Sequence, residues 1–234
     1  MSGRAAVVLL SGGLDSATAA AIARADGFEL HALTARYGQR HAAELDAARR
    51  TAASLGIARH VFVNVDLRAI GGSALTADEP LPLDRPAAEI GGDVPATYVP
   101  ARNTVLLALA LAHAETVGAF DLFIGATAVD YSGYPDCRPE FLAAFERLAD
   151  LATRAGTSGQ GRFRVHAPLL RMSKRDIIER GLELGVDYGL TVSCYAAAPD
   201  GAACGRCDAC RLRLRGFTQL GIPDPGVYRT GAPL

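Results

Sequence analysis

The sequence has almost no lysine. Lys174 is the only one among 24 basic residues, and the rest are arginine. Surface charge does not depend on lysine anywhere, so this one is a candidate for chemistry that a planar guanidinium performs poorly. Net charge is nearly absent too, at a formal −1 over 234 residues. Bulk electrostatics therefore give no support for nucleic-acid or membrane binding. No apolar run reaches transmembrane length, and the first residues lack the charged and apolar regions of a signal peptide, so the chain is expected in the cytoplasm. Internal repeats and low-complexity tracts are also missing. Cysteine is scarce, five in all. In a reducing compartment a cluster of them means metal before disulfide. Apolar residues make up 50% of the chain, enough for a full core in one α/β domain, with or without a small appendage.

What is present is organised around Leu9-Leu10-Ser11-Gly12-Gly13-Leu14-Asp15-Ser16. The apolar run Val7 to Leu10 precedes it, and the helix former Ala17 to Arg24 follows. Strand, tight glycine turn and helix build an anion site. Glycines let the backbone approach a ligand, and the first helical turn offers unpaired N–H groups at the positive end of the dipole. Ser11 and Ser16 add hydroxyls. The Walker A loop is excluded, because no lysine follows the glycines. The order SGGLDS resembles the PP-loop of the ATP pyrophosphatases, which implies release of pyrophosphate and transfer of AMP to the substrate. A plain helix N-cap at Asp15 or Ser16 is the structural alternative. Position at the carboxyl end of the first strand favours a ligand site.

Along the chain, Gly27 closes the first helix and Phe28 to Thr34 reads as a second strand. Arg36 to His41 is a polar turn on the cradle side. A helix from about His41 to Leu55 ends at Gly56, and Val61 to Val65 is a third strand. This rhythm predicts a parallel, doubly wound sheet. From Gly71 to Pro100 prolines and glycines break every period, so a functional lid or a disordered insert is expected. A helix from Arg102 to Gly118 is apolar almost all round, which predicts deep burial. Asp121 to Ala126 is a fourth strand, emptying into the polar, aromatic loop Thr127 to Glu140. A helix from about Glu140 to Ala155, a strand Phe163 to Ala167 and a helix Ser173 to Leu184 follow. The last carries a capping pattern, Ser173 with Asp176 three residues on.

Cys194, Cys204, Cys207 and Cys210 are spaced C-x9-C-x2-C-x2-C. This fits one tetrahedral, structural Cys₄ zinc site; the ferredoxin spacing for an iron–sulfur cluster is absent. The stretch Arg211 to Phe217 reads as a solvated basic face with an apolar side. A contact with phosphates or an acidic subunit is its alternative.

SGGLDS, Val99-Pro100-Ala101-Arg102-Asn103, Asp130 to Arg138, Ser193-Cys194-Tyr195 and Cys204 to Cys210 occur in this order. From about Val7 to Phe217 the set resembles the 7-cyano-7-deazaguanine synthase family of queuosine biosynthesis. The resemblance implies an adenine nucleotide alpha hydrolase-like fold, spanning residues 1–192 with a zinc-binding segment at 193–234. It implies conversion of 7-carboxy-7-deazaguanine and ammonia to the nitrile by a homodimer, using ATP, Mg²⁺ and one structural Zn²⁺, with no nucleic-acid partner.

Residue roles follow as expectations. Leu9, Leu10, Ser11, Gly12, Gly13, Leu14, Asp15 and Ser16 bind ATP, with Asp15 a Mg²⁺ ligand directly or through water. Asp15, Ser16 and Lys174 are the catalytic candidates, since PP-loop enzymes often set a downstream lysine against the phosphates. Arg102 and Asn103 contact ATP or the substrate carboxylate; a helix N-cap is the other reading of Asn103. Asp130 or Asp136 accepts from the N1–H and amine edge of the deazaguanine, Tyr131 or Tyr134 stacks on it, and Arg138 neutralises its carboxylate. His31, His41 and His166 read as strand-end or surface residues, and Cys137 as a buried thiol. Two other classes stay in view. A PP-loop enzyme acting on tRNA by thiolation or lysine transfer would want a basic groove, and a non-catalytic zinc-ribbon module would not turn over ATP.

Overall fold

Arg4–Leu9 forms strand β1 at the centre of the sheet. Phe28–Arg36 (β2) and Arg59–Asn64 (β3) extend the sheet on one side, and Asp121–Phe123 (β4) and Arg164–His166 (β5) on the other. The order is β3-β2-β1-β4-β5, with every pairing parallel. The chain thus winds outward from β1, then returns to its other flank. The computed structural model describes residues 3–38, 43–57, 59–77, 79–86, 90, 94–127 and 134–232.

Alternation along β1 divides the core. Ala6, Val8 and Leu10 face Leu14–Ala25 (α1), Lys174–Glu183 (α6) and Asp208–Gln219 (α7). Val7 and Leu9 face Arg102–Val117 (α3) and Pro139–Ala152 (α4). Ala43–Ser54 (α2) follows β2, and the short helix Arg154–Thr157 (α5) follows α4. The expected helix to Ala155 breaks because Thr153 turns to extended backbone and its hydroxyl caps α5 at Gly156 N, 3.1 Å away. The predicted capping box is present: Ser173 Oγ accepts from Asp176 N, and Asp176 Oδ2 accepts from Ser173 N.

Four expectations need correction. Helix α3 is not deeply buried. Only Asn103, Leu107, Ala110, Leu111 and Ala114 are covered, while Ala108 and Ala112 are exposed. It rests on the sheet by one side, and small apolar residues tolerate water on the other. His31 is no strand-end residue; it is buried mid-strand in β2 against His113, with ring centroids 6.0 Å apart. His41 lies outside the described residues. The basic stretch after Cys210 is not all solvated, because Arg213 is buried in α7 and holds Asp224 at 2.7 Å. The Gly71–Pro100 segment is tied down among its described residues. Leu75 and Val99 pack with Leu67, Leu83 bridges Cys207, and Arg85 pairs with the buried Asp208 at 2.9 Å.

Candidate active site

The loop Ser11-Gly12-Gly13 leaves β1 at the switch point of the sheet, where strand order reverses and open α/β sheets bind ligands. Gly12 has φ +84°, and a Cβ there would lie 2.3 Å from Glu44 O and 2.6 Å from Ala48 N. The turn therefore exists only because α2 can press against a bare Cα. Serines set the rest of the loop. Ser16 Oγ accepts the Ser11 N–H at 3.1 Å, donates to Gly13 O at 3.0 Å and meets Ser11 Oγ at 3.0 Å. Ser193 Oγ accepts the first helical N–H, that of Leu14, at 3.0 Å, and Val192 N donates to Gly12 O at 2.9 Å. Gly13, the N-cap of α1, supplies no side-chain cap. The helix presents its positive end to whatever anion enters.

Lys174, the first residue of α6, is buried, and its Nζ donates to Asp15 Oδ1 at 2.6 Å. It is not a solvated surface lysine. It also does not line the cavity; it stands behind Asp15, which does.

That cavity, about 230 Å³, opens between the cradle, α3 and the Ser193–Tyr195 segment. Its apolar wall includes Leu9, Leu33, Ala35 and Ile124; its polar wall carries Tyr37, Glu44, Arg102, Tyr134 and Tyr195. Burial opposes the charge of Arg102, but Tyr37, Tyr134, Tyr195 and Asp136 hold its pKa above the ordinary arginine value. Its guanidinium carbon lies 5.9 Å from the centre of the Tyr37 ring. Burial pushes the Glu44 carboxyl up to about 7, against the pull of Arg102 and with the help of Cys194.

Every expected nucleotide contact lines the cavity except Gly12, whose Cα backs onto α2. Asn103 lines it but is not a helix N-cap. That position falls to Ala101, a non-glycine residue in the left-handed region at φ +52°. Such backbone costs roughly 1–3 kcal/mol and persists where the surroundings over-determine it. Here Asp136 Oδ2 accepts the Asn103 N–H at 2.9 Å, and Asn103 Nδ2 donates to Asp136 O at 3.1 Å. The carboxylate thereby serves the positive end of α3. Of the expected substrate contacts, Tyr134 lines the cavity, while Asp136 and the exposed Arg138 do not. Asp130 and Tyr131 lie outside the described residues. Cys137 is buried and accepts from Asn103 Nδ2 at 3.2 Å; burial pushes its thiol up to about 11. It is no nucleophile at neutral pH.

Sequence reasoning gave no site role to Tyr37 or Glu44, and none to Ser193 or Tyr195, although it singled out the motif Ser193-Cys194-Tyr195. A signal existed for the first two: they sit in or just past the polar turn after β2, on the cradle's edge of the sheet.

The four tail thiols are buried, and their Sγ atoms all lie within 4.8 Å of one another. The backbone N–H groups of Arg206 and Cys207 point at Cys204 Sγ from 3.4 and 3.3 Å. The Cys194, Cys207 and Cys210 thiols hold Cys204 well below the ordinary thiol range. An all-thiol, closed set of this size fits a tetrahedral zinc ion with no open position.

The family described as "Queuosine biosynthesis protein QueC" matches residues 5–221. A 7-cyano-7-deazaguanine synthase of Xanthomonas campestris pv. campestris (strain B100) is 64% identical over 223 residues, 95% of this chain and 97% of that one. One from Geobacter sulfurreducens is 60% identical over 228 residues, 97% of this chain and 94% of the relative. Among solved structures, a predicted subunit of a tRNA methyltransferase from Methanocaldococcus jannaschii aligns with TM-score 0.50 and 19% identity. That alignment covers 77% of this chain and 76% of the other, a likeness of fold.

Proposed function

The chain belongs to the queuosine biosynthesis QueC family, and on that premise we propose that it is an ATP-dependent carbon–nitrogen ligase. In this reading it converts 7-carboxy-7-deazaguanine and ammonia to 7-cyano-7-deazaguanine. The observation that carries the reading is similarity near 60% identity through 97% of the chain, so that cradle, cavity and cysteine cluster all fall within it.

The chemistry needs what the cavity offers. A carboxylate would have to expel oxide, so its oxygen first attacks the α-phosphorus of ATP and pyrophosphate leaves. Ammonia then adds to the acyl carbon, AMP departs with that oxygen, and a proton is released, giving the amide. The amide oxygen attacks a second ATP in the same way. Loss of AMP and of both remaining N–H protons leaves the nitrile. The cradle N–H groups and the hydroxyls of Ser11 and Ser16 hold the departing pyrophosphate, where fixed donors act without reorganising. Lys174 adds a positive charge behind Asp15.

Asp15, the carboxylate of the cradle, would hold Mg²⁺ together with the phosphates, as that ion favours one or two carboxylates and retained water. Magnesium would neutralise phosphate charge. Cys194, Cys204, Cys207 and Cys210 would hold Zn²⁺, which would cross-link the 193–234 segment on itself. A homodimer in the cytoplasm, with small-molecule substrates and no nucleic acid, completes the reading. Incubation with ATP, ammonium and 7-carboxy-7-deazaguanine, followed by mass analysis, tests it. The nitrile, AMP and pyrophosphate are expected; ADP and phosphate as first products would overturn it.

A further inference from the structure

We propose that Glu44 is the carboxylate that reads the donor edge of the deazaguanine, with Arg102 at the neighbouring carbonyl. The inference rests on the activity proposed above and adds the group that gives it specificity.

Glu44 lies in the first turn of α2 and lines the same cavity as the cradle. The contact between its backbone oxygen and Gly12 fixes where its side chain starts, directly beside the cradle. It is half-buried, and among the described residues its carboxylate makes no hydrogen bond and no ion pair. A carboxylate taken partly out of water without donors is costly. Its carboxyl, raised to about 7 by burial, shows the same shortage.

The chemistry of the edge selects among ligands. A 7-deazaguanine presents N1–H and an exocyclic amine side by side, then a carbonyl oxygen. One carboxylate accepts the two donors in parallel, and one guanidinium, which has donors only, serves the carbonyl. Glu44 and Arg102 are that pair, and Tyr37, Tyr134 and Tyr195 offer flat faces to a ring. Adenine is a poorer match, because beside its amine stands N1, a lone pair that a carboxylate repels. Ammonium is poorer too, since it would sit beside the Arg102 cation. Among the described residues, the other two carboxylates named for the site are committed: Asp136 to the Asn103 N–H, Asp15 to Lys174.

The test compares 7-carboxy-7-deazaguanine with its analogue lacking the exocyclic amine, on the wild type and on Glu44→Gln. AMP formation gives kcat/KM for each, and KM is measured for ATP and for ammonium. The wild type should prefer the amine-bearing acid by about 10- to 100-fold, the value of a hydrogen bond to a charged group. Glu44→Gln should lose most of that preference with KM for ATP unchanged. Where Glu44→Gln fails to fold, Glu44→Asp, which retracts the carboxylate by one methylene, should still weaken the preference. A preference undiminished in the variants overturns the inference, as does a raised KM for ATP or ammonium with the preference intact. A wild type that makes no AMP with either acid overturns the activity, and this inference with it.

Discussion

Lys174 Nζ sits 2.6 Å from Asp15 Oδ1, so the only lysine of the chain is spent on the acidic residue in the first turn of α1. A cation at the start of a helix is unfavourable by roughly 0.3–1 kcal/mol when exposed. Here a carboxylate from the neighbouring helix α1 offsets that cost, and an incoming phosphate would do so further.

Lys174→Ala should lower turnover by roughly 10²–10³-fold, the scale of one lost charge-stabilising donor. Folding should suffer little, since the carboxylate left behind still reaches water. Lys174→Arg should recover only part of the rate, because α7 crowds the site: a Cβ on Gly216 would lie 3.0 Å from Lys174 Cγ. AMP formation and a thermal melt check both; wild-type turnover in Lys174→Ala would remove this residue from the reaction.

Gly12→Ala and Gly27→Ala form a pair. Both glycines have φ near +85°, at +84° and +86°. Only Gly12 has backbone within 3 Å of a new Cβ, while Gly27 has nothing within 4 Å. Gly27→Ala should cost only the left-handed strain, about 1–2 kcal/mol. Gly12→Ala should cost more and also abolish nucleotide binding. Equal denaturation midpoints would show that the approach of α2 is not what demands glycine.

The purified protein should hold one zinc per chain, and Cys207→Ser should lower stability before it alters chemistry. Elemental analysis and melting temperature are the measurements. A normally stable, metal-free Cys207→Ser protein would refute a structural metal, and iron with sulfide in the wild type would refute zinc.

Cys137 should resist alkylation in the folded protein at pH 7 to 8, well below its thiol's pKa of about 11. The sign for stability follows. The folded state keeps this proton where the unfolded thiol has lost it, so the group destabilises the fold as pH rises from about 9 towards 11. Timed labelling with and without denaturant reads the reactivity. Rapid native modification at pH 7 would contradict the burial.

The sheet was legible in sequence because short stretches rich in apolar residues, such as Val7 to Leu10 and Val61 to Val65, alternate with helix formers and are punctuated by glycine or a polar turn. The cradle was legible because SGGLDS stands between an apolar run and a helix former, at the end of the first strand. The place of Asp136 was not legible for a physical reason. Its neighbours in the chain suggested a ligand loop, but its partner is the N–H of Asn103, 33 residues away. Glu44 was missed because one acid in a charged helix looks like any other. The approach of Gly12 distinguishes it, and that depends on how α2 packs. The half-exposed face of α3 was misread because apolar sequence does not by itself say what covers it.

Ser193 and Val192 touch the loop at Gly12 and Leu14 from the far end of the chain, one residue before the first tail thiol. During translation the loop leaves the ribosome early, yet the hydroxyl that meets its first helical N–H is made near the end of synthesis. A nascent chain can carry β1 and β2, but the groups that meet the loop at Gly12 and Leu14 arrive only with Val192 and Ser193.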